Sequence, residues 1–373
     1  MTRTPLLSAL PTFPWDLLAD AQTTAAQHPE GMINLSVGTP VDEVAPGIQL
    51  ALAEAAPDPG YPQTAGTAEL RAALVASLER RYHVSGLSEK AVLPVIGTKE
   101  AIAWLPTTLG LGAGDTVVIP ELAYPTYEVG ALLAGCAVLR SDSLLKIGPA
   151  RPSLIFINSP SNPTGKVLGV DHLRKVVEFA RERDVIIASD ECYLGLGWNE
   201  EKHPPVSILD PRVCDGDHRN LLAIHSFSKT SNLAGYRSGF LAGDEALIQE
   251  LLGVRKHAGL MMPTPVQAAT LAAAQDDDQE RIQKLRYAGR RATLMAAFVD
   301  AGFRIDLSDA GLYLWATREE DCWATVDWLA QRGILVAPGA FYGPEGEKHV
   351  RIGLTGSDED IAAAARRLRG DEQ

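Results

Sequence analysis

The chain has 373 residues, 46% of them hydrophobic and 22% charged, which is the composition of a globular protein with a large core. At about 150 residues per domain, a chain of this length is predicted to form two domains. Its 47 acidic and 34 basic residues give a formal net charge of -13, which disfavours general binding to nucleic acid or to anionic membranes.

The sequence also bears on location and on metal binding. No run of about eighteen apolar residues predicts a membrane span. The N-terminus MTRTPLLSALPTFPWDLL lacks the uninterrupted apolar core of a signal peptide, so we expect a cytoplasmic protein. Neither a zinc site nor a disulfide framework is predicted and no metal is expected, because the cysteines are widely spaced and form no CxxC pair. These cysteines are Cys136, Cys192, Cys214 and Cys322.

The first part of the chain, residues 1–34, is predicted to be an arm that packs on other segments and carries little chemistry. It contains one amphipathic helical stretch, WDLLADAQTTAAQ, and the segment LSVGTPVD follows it. Gly38 in the second segment lets the backbone pass close to a ligand, although an ordinary turn glycine explains the residues equally well. The segment GYPQTAGTAELRAALVASLERRY then predicts a turn and a long amphipathic helix. Tyr61 lies in this turn, where its neighbours favour a packed loop residue.

From about residue 91 the pattern alternates strand and helix through AVLPVIG, TKEAIAWLPTTLGL, DTVVIP, TYEVGALLAG and CAVLR. Such alternation predicts an α/β fold, in which ligands gather beyond the carboxyl ends of parallel strands. GTKEA lies at such an end, where a helix start led by a glycine offers free N–H groups to a phosphate. The alternative is a helix cap made by the Thr98 hydroxyl. In PELAYPTY, Tyr124 is placed to stack on a planar ligand, whereas Tyr127 is expected to pack.

Two more predicted strands end in polar residues. SLIFINSPSNPTGKVLG leads into a turn that contains Asn162, and turn chemistry alone would account for this asparagine. DVIIASDECYLGLGW places Asp190 at a strand end, with Tyr193 shortly after it. A carboxylate at the end of a buried strand is costly unless it meets a positive partner, and a turn cap is the alternative for Asp190.

The segment HSFSKTSNLAGYRSG contains the residues with the clearest chemistry. Lys229 follows a predicted buried strand, and to form an imine its pKa must fall from about 10.4 toward about 7 to 8. Arg237 supplies a positive charge that would lower it. Ser226 and Ser228, together with this guanidinium, are the donors that a phosphate ester requires. An imine-forming lysine beside a phosphate site suggests pyridoxal phosphate, and a solvated turn is the alternative for this segment alone.

SFSKTSNLAGYRSG resembles the lysine segment of the pyridoxal-phosphate aminotransferases of the aspartate aminotransferase superfamily, which have fold type I. The NPTG turn, the strand ending in Asp190 and the VRIGL segment around Arg351 occur in that family's order. The resemblance implies a large, mostly parallel sheet domain with helices on both faces and a smaller α+β domain. The domains expected are an N-terminal arm with part of the small domain in 1–40, the large cofactor-binding domain in 41–255, and the small domain in 256–373.

The resemblance implies that Lys229 binds pyridoxal phosphate covalently and acts as general acid and base. It assigns to the cofactor's phosphate the side chains of Ser226 and Arg237, the backbone amides of Thr98 and Lys99, and Tyr61 from the partner subunit of a homodimer.

The resemblance also assigns the residues around the cofactor's ring. Tyr124 would stack on it, and Asn162 and Tyr193 would bind its 3-hydroxyl oxygen. Asp190 would keep the ring nitrogen protonated, so that the ring can absorb an electron pair.

The substrate's α-carboxylate would lie against Gly38 and Asn162 and be gripped by Arg351, because a bidentate guanidinium suits a carboxylate. An exposed strand arginine is the alternative for Arg351. Where aspartate aminotransferases carry an arginine for a second carboxylate, the alignment places Ala258, which disfavours a short dicarboxylate substrate.

Several segments resemble the actinobacterial N-succinyldiaminopimelate aminotransferases of lysine and diaminopimelate biosynthesis: LPTFPWDLLADA, SVGTPVD, LPVIGTKEAIAWLP, PELAYPTYEVGA and SDECYLGLGW. This resemblance implies L-glutamate as amino donor, 2-oxoglutarate as its product and N-succinyl-2-amino-6-oxopimelate as acceptor. The alternatives are an aminotransferase for another amino acid and a pyridoxal-phosphate carbon–sulfur lyase, which would use the same cofactor residues. No residue is identified for the succinyl end of the substrate.

Overall fold

The structure, a computed structural model, describes residues 5–148 and 151–370. Residues 1–4 of the predicted arm and 371–373 of the predicted small domain lie outside the described residues. None of the helices in the described part of the chain is both long and apolar enough to cross a membrane.

The strands are β1 Ile33–Asn34, β2 Val92–Ile96, β3 Thr116–Ile119, β4 Ala137–Arg140, β5 Leu154–Asn158, β6 Ile186–Asp190, β7 Leu221–Ser226, β8 Ser238–Gly243, β9 Arg304–Asp306, β10 Tyr313–Thr317, β11 Ile334–Leu335, β12 Ala337–Pro338 and β13 His349–Gly353. The α-helices are α1 Ala19–Ala26, α2 Pro46–Ala55, α3 Ala68–Tyr82, α4 Thr98–Thr108, α5 Thr126–Ala134, α6 Leu144–Ile147, α7 Val170–Arg183, α8 Pro211–Cys214, α9 Glu245–Ala258, α10 Thr264–Gln275, α11 Asp277–Asp300, α12 Cys322–Ala330 and α13 Asp358–Arg369. Short 3-10 helices cover Leu6–Ala9, Pro14–Leu18, Glu89–Ala91, Gly339–Phe341 and Pro344–Gly346.

Seven strands form the large sheet in the spatial order β2-β8-β7-β6-β5-β3-β4. All of its neighbouring pairs are parallel except the two that β8 makes with β2 and β7. Each face of the sheet has its own core, because side chains alternate along a strand. Ile155 and Ile157 of β5 pack in one core, and Leu154 and Phe156 pack in the other. The predicted α/β fold with helices on both faces of a mostly parallel sheet is confirmed.

A smaller antiparallel sheet has the order β12-β13-β10-β9, and β1 pairs in parallel with β11. A third core joins these strands to α1, α11, α12 and α13. Ala21 and Ala25 of α1 lie in this core, so the N-terminal arm packs on the smaller sheet. The domain limits at 40 and 255 stay a prediction, but Ala269 and Ala273 of α10, beyond the second limit, lie in the same core as Ile48 and Leu74 of α2 and α3.

The carboxyl ends of the parallel strands meet at one edge of the large sheet. β2, β3, β5, β6 and β7 all end there, and the antiparallel β8 begins there. Residues that follow these strands in sequence are therefore brought together in space, which is where an open α/β sheet binds ligands.

Candidate active site

A cavity of about 230 Å³ lies at this edge of the sheet. Its lining contains every predicted site residue except one: Gly38, Thr98, Lys99, Tyr124, Asn162, Asp190, Tyr193, Ser226, Lys229, Arg237 and Arg351. The exception, Tyr61, lies outside this cavity with 98% of its surface exposed in the single chain. The lining also contains Trp15, Cys192 and Tyr313, which the sequence reasoning did not assign to the site.

Lys229 lies in the turn that follows β7. This turn is held by Ser226 at the end of the strand, whose Oγ accepts a hydrogen bond of 3.1 Å from the Ser228 N–H. The Lys229 amine donates to the Gly38 carbonyl oxygen. Burial lowers the pKa of this lysine, and the charges on Arg351 and Arg237 lower it further. The structure thus gives Lys229 the environment that an imine-forming amine needs.

Arg237 and Gly97 form the base of an anion cradle. Arg237 has a left-handed backbone, with φ 57, and its Nη1 donates to the Ala234 carbonyl at 2.7 Å. Gly97 has φ 88, and a Cβ added to it would lie 2.6 Å from the Arg237 Cζ. Glycine is therefore required here both by its backbone and by the guanidinium against it.

The first turn of α4 completes the cradle. The helix begins at Thr98, and its N-cap, Gly97, makes no side-chain hydrogen bond to the first turn. Thr98 is thus the first residue of the helix, and its hydroxyl does not cap it. A phosphate would find three kinds of donor here: the free N–H groups at the start of α4, the Ser226 hydroxyl and the Arg237 guanidinium. Among the described residues, Arg237 has no carboxylate partner.

Asp190 is a buried carboxyl at the end of β6. Its Oδ2 accepts a hydrogen bond of 2.6 Å from the Tyr127 hydroxyl, and its Oδ1 accepts one of 3.1 Å from the Cys192 N–H. Burial raises the pKa of this carboxyl, although both hydrogen bonds oppose the rise. No lysine, arginine or histidine in the described ranges pairs with it. A buried carboxyl that faces the cavity and forms no ion pair with a described residue suits a protonated ring nitrogen.

Tyr127 is a site residue that the sequence reasoning missed. It packs as predicted, fully buried and stacked on Phe156 with ring centroids 4.8 Å apart. It also donates to Asp190, which the sequence reasoning did not foresee. The spacing of the two tyrosines in YPTY was a possible signal, since residues three apart at a helix start share a face.

Arg351 is almost completely buried, with 2% of its surface exposed, so the alternative of an exposed strand arginine does not hold. Its Nη1 donates to Asn162 Oδ1 at 2.9 Å, and its Nη2 donates to the Ser36 carbonyl at 2.7 Å. Its Nε has no hydrogen-bond partner in residues 5–148 and 151–370, and no carboxylate there pairs with the guanidinium. Because an uncompensated buried charge is costly, this arginine is suited to the carboxylate of a ligand.

Aromatic rings surround Arg351. The Tyr313 ring centroid lies 3.8 Å from its Cζ, and the Trp15 ring lies 6.0 Å away. The Tyr313 hydroxyl is 3.3 Å from that of Tyr193, and a Cβ on Gly38 would lie 2.9 Å from the Tyr313 Cζ. Although burial opposes it, the charges on Arg351 and Lys229 lower the pKa of Tyr313. Trp15 comes from the arm, whose sequence carried no chemical signal.

These features match the parts of pyridoxal phosphate. The cradle at Gly97 and Arg237 suits its phosphate, Asp190 suits its ring nitrogen, and Lys229 is the amine that its aldehyde requires. The donors and charges of the cavity therefore fit this cofactor.

Comparison with known proteins gives consistent results. A family model described as aminotransferase class I and II matches residues 30–368. A probable aminotransferase from Mycobacterium tuberculosis is 65% identical over 97% of this chain and 86% of that protein. A 4-dedimethylamino-4-oxo-anhydrotetracycline transaminase from Streptomyces rimosus is 54% identical over 96% of this chain and 99% of that protein. An LL-diaminopimelate aminotransferase from Dehalococcoides mccartyi is 30% identical over 91% of each. A crystal structure of an aminotransferase from Neisseria meningitidis, 30% identical, matches the whole of both chains with a TM-score of 0.90.

Proposed function

Because the chain belongs to the class I and II aminotransferases, which depend on pyridoxal phosphate, we propose that Lys229 is the residue that binds this cofactor. We propose further that L-glutamate is the amino donor and N-succinyl-2-amino-6-oxopimelate the acceptor. The observation that carries the first proposal is a partly buried lysine of lowered pKa that shares a cavity with Arg351, a buried arginine without a carboxylate partner among the described residues.

The residues of the chain have distinct tasks in this proposal. When bound, pyridoxal phosphate supplies an electron sink for the bonds of the substrate's α-carbon. Arg351 and Asn162 bind the substrate's α-carboxylate, which fixes the orientation of that carbon. The Lys229 amine takes the proton from the α-carbon, and its lowered pKa makes it a competent base. Tyr124, Tyr193 and Tyr313 line the cavity with aromatic surface.

Removal of the lysine tests the assignment. L-Glutamate added to the holoenzyme is expected to abolish its visible absorbance and to release 2-oxoglutarate, whereas a carbon–sulfur lyase would not make this exchange. Lys229→Ala is expected to slow the half-reaction by at least about 10²–10⁴-fold, the size of a general-base contribution. Lys175→Ala, an exposed lysine of α7, is the matched control. Full activity of Lys229→Ala would contradict the proposal.

The acidic acceptor is supported by a second cation. Lys99 lines the cavity, and its Nζ lies 5.2 Å from the centroid of the Phe13 ring. It has no carboxylate partner in the described part of the chain. Burial and the charge on Arg237 lower its pKa. With Arg351 for the α-carboxylate, Lys99 is available to a distal carboxylate, and both L-glutamate and the succinylated acceptor carry one.

Substrate kinetics test the role of Lys99. Lys99→Gln is expected to lower kcat/KM for L-glutamate and the succinylated acceptor by about ten- to hundredfold, because a hydrogen bond to a charged group is lost. A monocarboxylic donor such as L-alanine should be unaffected. An equal loss with L-alanine would mean that Lys99 acts on the cofactor instead. If the enzyme used neither the succinylated nor the acetylated acceptor, the assignment to diaminopimelate biosynthesis would be wrong. The assignment as an aminotransferase would still hold.

A second candidate acceptor rests on the relative from Streptomyces rimosus. It is 54% identical to this chain, against 30% for the LL-diaminopimelate aminotransferase. The former is a transaminase of 4-dedimethylamino-4-oxo-anhydrotetracycline, and the latter is an aminotransferase of LL-diaminopimelate. The enzyme is first aminated with L-glutamate, and then N-succinyl-2-amino-6-oxopimelate and 4-dedimethylamino-4-oxo-anhydrotetracycline are added in separate assays. Only the true acceptor restores the visible absorbance.

A further inference from the structure

Two titratable side chains that the proposed mechanism does not use face each other behind the site. Glu191 directly follows Asp190, and His225 directly precedes Ser226 on the neighbouring strand. Their side chains are 2% and 4% exposed, and Glu191 Oε2 lies 3.3 Å from His225 Nε2. Because successive residues of an extended strand point to opposite faces, this pair lies behind the residues that line the cavity.

The pair is enclosed, and its two facing atoms lack other partners. Glu191 Oε1 accepts hydrogen bonds from the Ser189 hydroxyl at 2.9 Å and the Ile208 N–H at 2.7 Å. Glu191 Oε2 and His225 Nε2 have no hydrogen bond of good geometry within residues 5–148 and 151–370. A cavity of about 20 Å³ adjoins both side chains, and this is room for one water molecule.

The charged groups of α3 and α11 next to the pair form an ion pair with each other. Glu280 of α11 is 2.8 Å from Arg81 of α3, and it accepts a hydrogen bond of 3.3 Å from the Tyr82 hydroxyl. The His225 ring lies between Tyr82 and Phe240, with centroids 5.8 and 5.0 Å away. In the described ranges, His225 is thus the one basic group within ion-pair distance of Glu191.

Desolvation acts against a charge on either member of the pair. Burial raises the pKa of Glu191 to about 7, and the negative charge of Asp190 contributes to this rise. Burial lowers the pKa of His225 to about 3. Both shifts favour the neutral forms between a pH of about 3 and a pH of about 7, in agreement with the geometry of one proton between two facing acceptor atoms.

We propose that Glu191 and His225 share a single proton as a neutral positioning pair, so that the negative charge behind the cofactor ring is confined to Asp190. The proposal rests on the proposed function, and within it on Asp190 as the partner of the ring nitrogen of pyridoxal phosphate. A charge on Glu191 would be a second carboxylate next to Asp190, and repulsion would drive a proton onto one of the two. With Glu191 neutral, Asp190 can remain ionised in its buried position and hold a positive ring nitrogen.

The stability of the apoprotein tests the pair without the cofactor. Above a pH of about 4.5 the unfolded Glu191 releases its proton, while the folded residue keeps it up to a pH of about 7. The unfolded state binds fewer protons in this window, so Glu191 makes folding less favourable as the pH rises through it. Glu191→Gln mimics the neutral acid and removes this loss. The Tm of Glu191→Gln relative to wild type should therefore rise between about pH 4.5 and 7 and then level off.

The matched control is Glu201→Gln, an exposed glutamate, whose Tm difference from wild type should stay flat over the same range. A flat difference for Glu191→Gln, or one that falls with pH, would show that Glu191 is ionised in the folded protein and would overturn the pair. The Tm measurement uses the apoprotein, so its result does not depend on the proposed function. Failure of the proposed function would instead appear as the absence of the glutamate half-reaction in the holoenzyme.

The holoenzyme gives a second readout. Below a pH of about 7, Glu191→Gln is expected to change the rate of the glutamate half-reaction by less than about threefold, because it preserves the neutral state. Above a pH of about 7 the wild-type rate should fall as Glu191 ionises, and the variant should lack this fall. A large loss of rate in the variant at all pH values would contradict a neutral glutamate, and a merely structural role would leave the pH profile unchanged.

Discussion

The Tyr127 hydroxyl donates a hydrogen bond to Asp190, the carboxyl that we propose as the partner of the cofactor's ring nitrogen. Asp190 is buried and has no cationic partner in residues 5–148 and 151–370, so its hydrogen bonds help to keep it ionised. The Tyr127 hydroxyl donates one of them at 2.6 Å while its ring is fixed by stacking on Phe156. The role of this tyrosine is therefore to position and stabilise Asp190.

At the residue scale we predict that Tyr127→Phe keeps the ring packing and loses this hydrogen bond. The free energy of unfolding should fall by about 1–3 kcal/mol, because a buried carboxylate loses a donor. The glutamate half-reaction should slow as the pKa of Asp190 rises. Chemical denaturation and single-turnover absorbance measure the two effects. Tyr124→Phe is the matched control, and an equal effect there would contradict a specific role for Tyr127.

At the scale of elements, the start of α4 and the turn before β8 form one anion site from two separate segments. Gly97 precedes α4, Arg237 precedes β8, and the two strands next to them, β2 and β8, are paired. The guanidinium fits against Gly97 because this residue has no side chain. The geometry of the site thus depends on strand pairing as well as on the local sequence.

We predict that Gly97→Ala weakens cofactor binding. A Cβ there would lie 2.6 Å from the Arg237 Cζ, so the guanidinium must move. Gly110→Ala is a matched control, because Gly110 also has a positive φ, 72, but nothing lies within 4 Å of an added Cβ. Both variants should lose about 1 kcal/mol or more of stability from backbone strain. Titration of the apoproteins with pyridoxal phosphate should show weaker binding for Gly97→Ala only, and equal affinities would contradict the cradle.

At the scale of the whole molecule, a single chain does not explain how Tyr61 could reach a bound cofactor. Its side chain is 98% exposed and outside the cavity, whereas the other predicted site residues line it. We expect a homodimer in which Tyr61 reaches the phosphate bound by the partner subunit.

Mixing two inactive variants tests this arrangement. Lys229→Ala and Tyr61→Ala should each be strongly impaired, and a hybrid dimer should regain activity. In the hybrid, the subunit with Tyr61→Ala keeps Lys229 and receives the intact tyrosine of its partner, so one native site forms. If Tyr61 acted within its own chain, neither subunit of the hybrid would be complete and no activity would return. Native mass spectrometry of the mixture, in which the hybrid dimer has a mass between those of the two parental dimers, checks that hybrids form.

The sequence by itself predicted the α/β fold, because strand and helix periods are local properties, and its resemblance to the aminotransferases predicted most of the cavity lining. Lys229, Asp190 and Asn162 each follow an apolar strand, so parallel pairing alone brings them to one edge. Only the tertiary structure showed Trp15 and Tyr313 at Arg351, the bond from Tyr127 to Asp190 and the pair of Glu191 with His225. These contacts join segments far apart in the chain, and no local pattern specifies which distant side chain fills a given space or which buried charge is left without a partner.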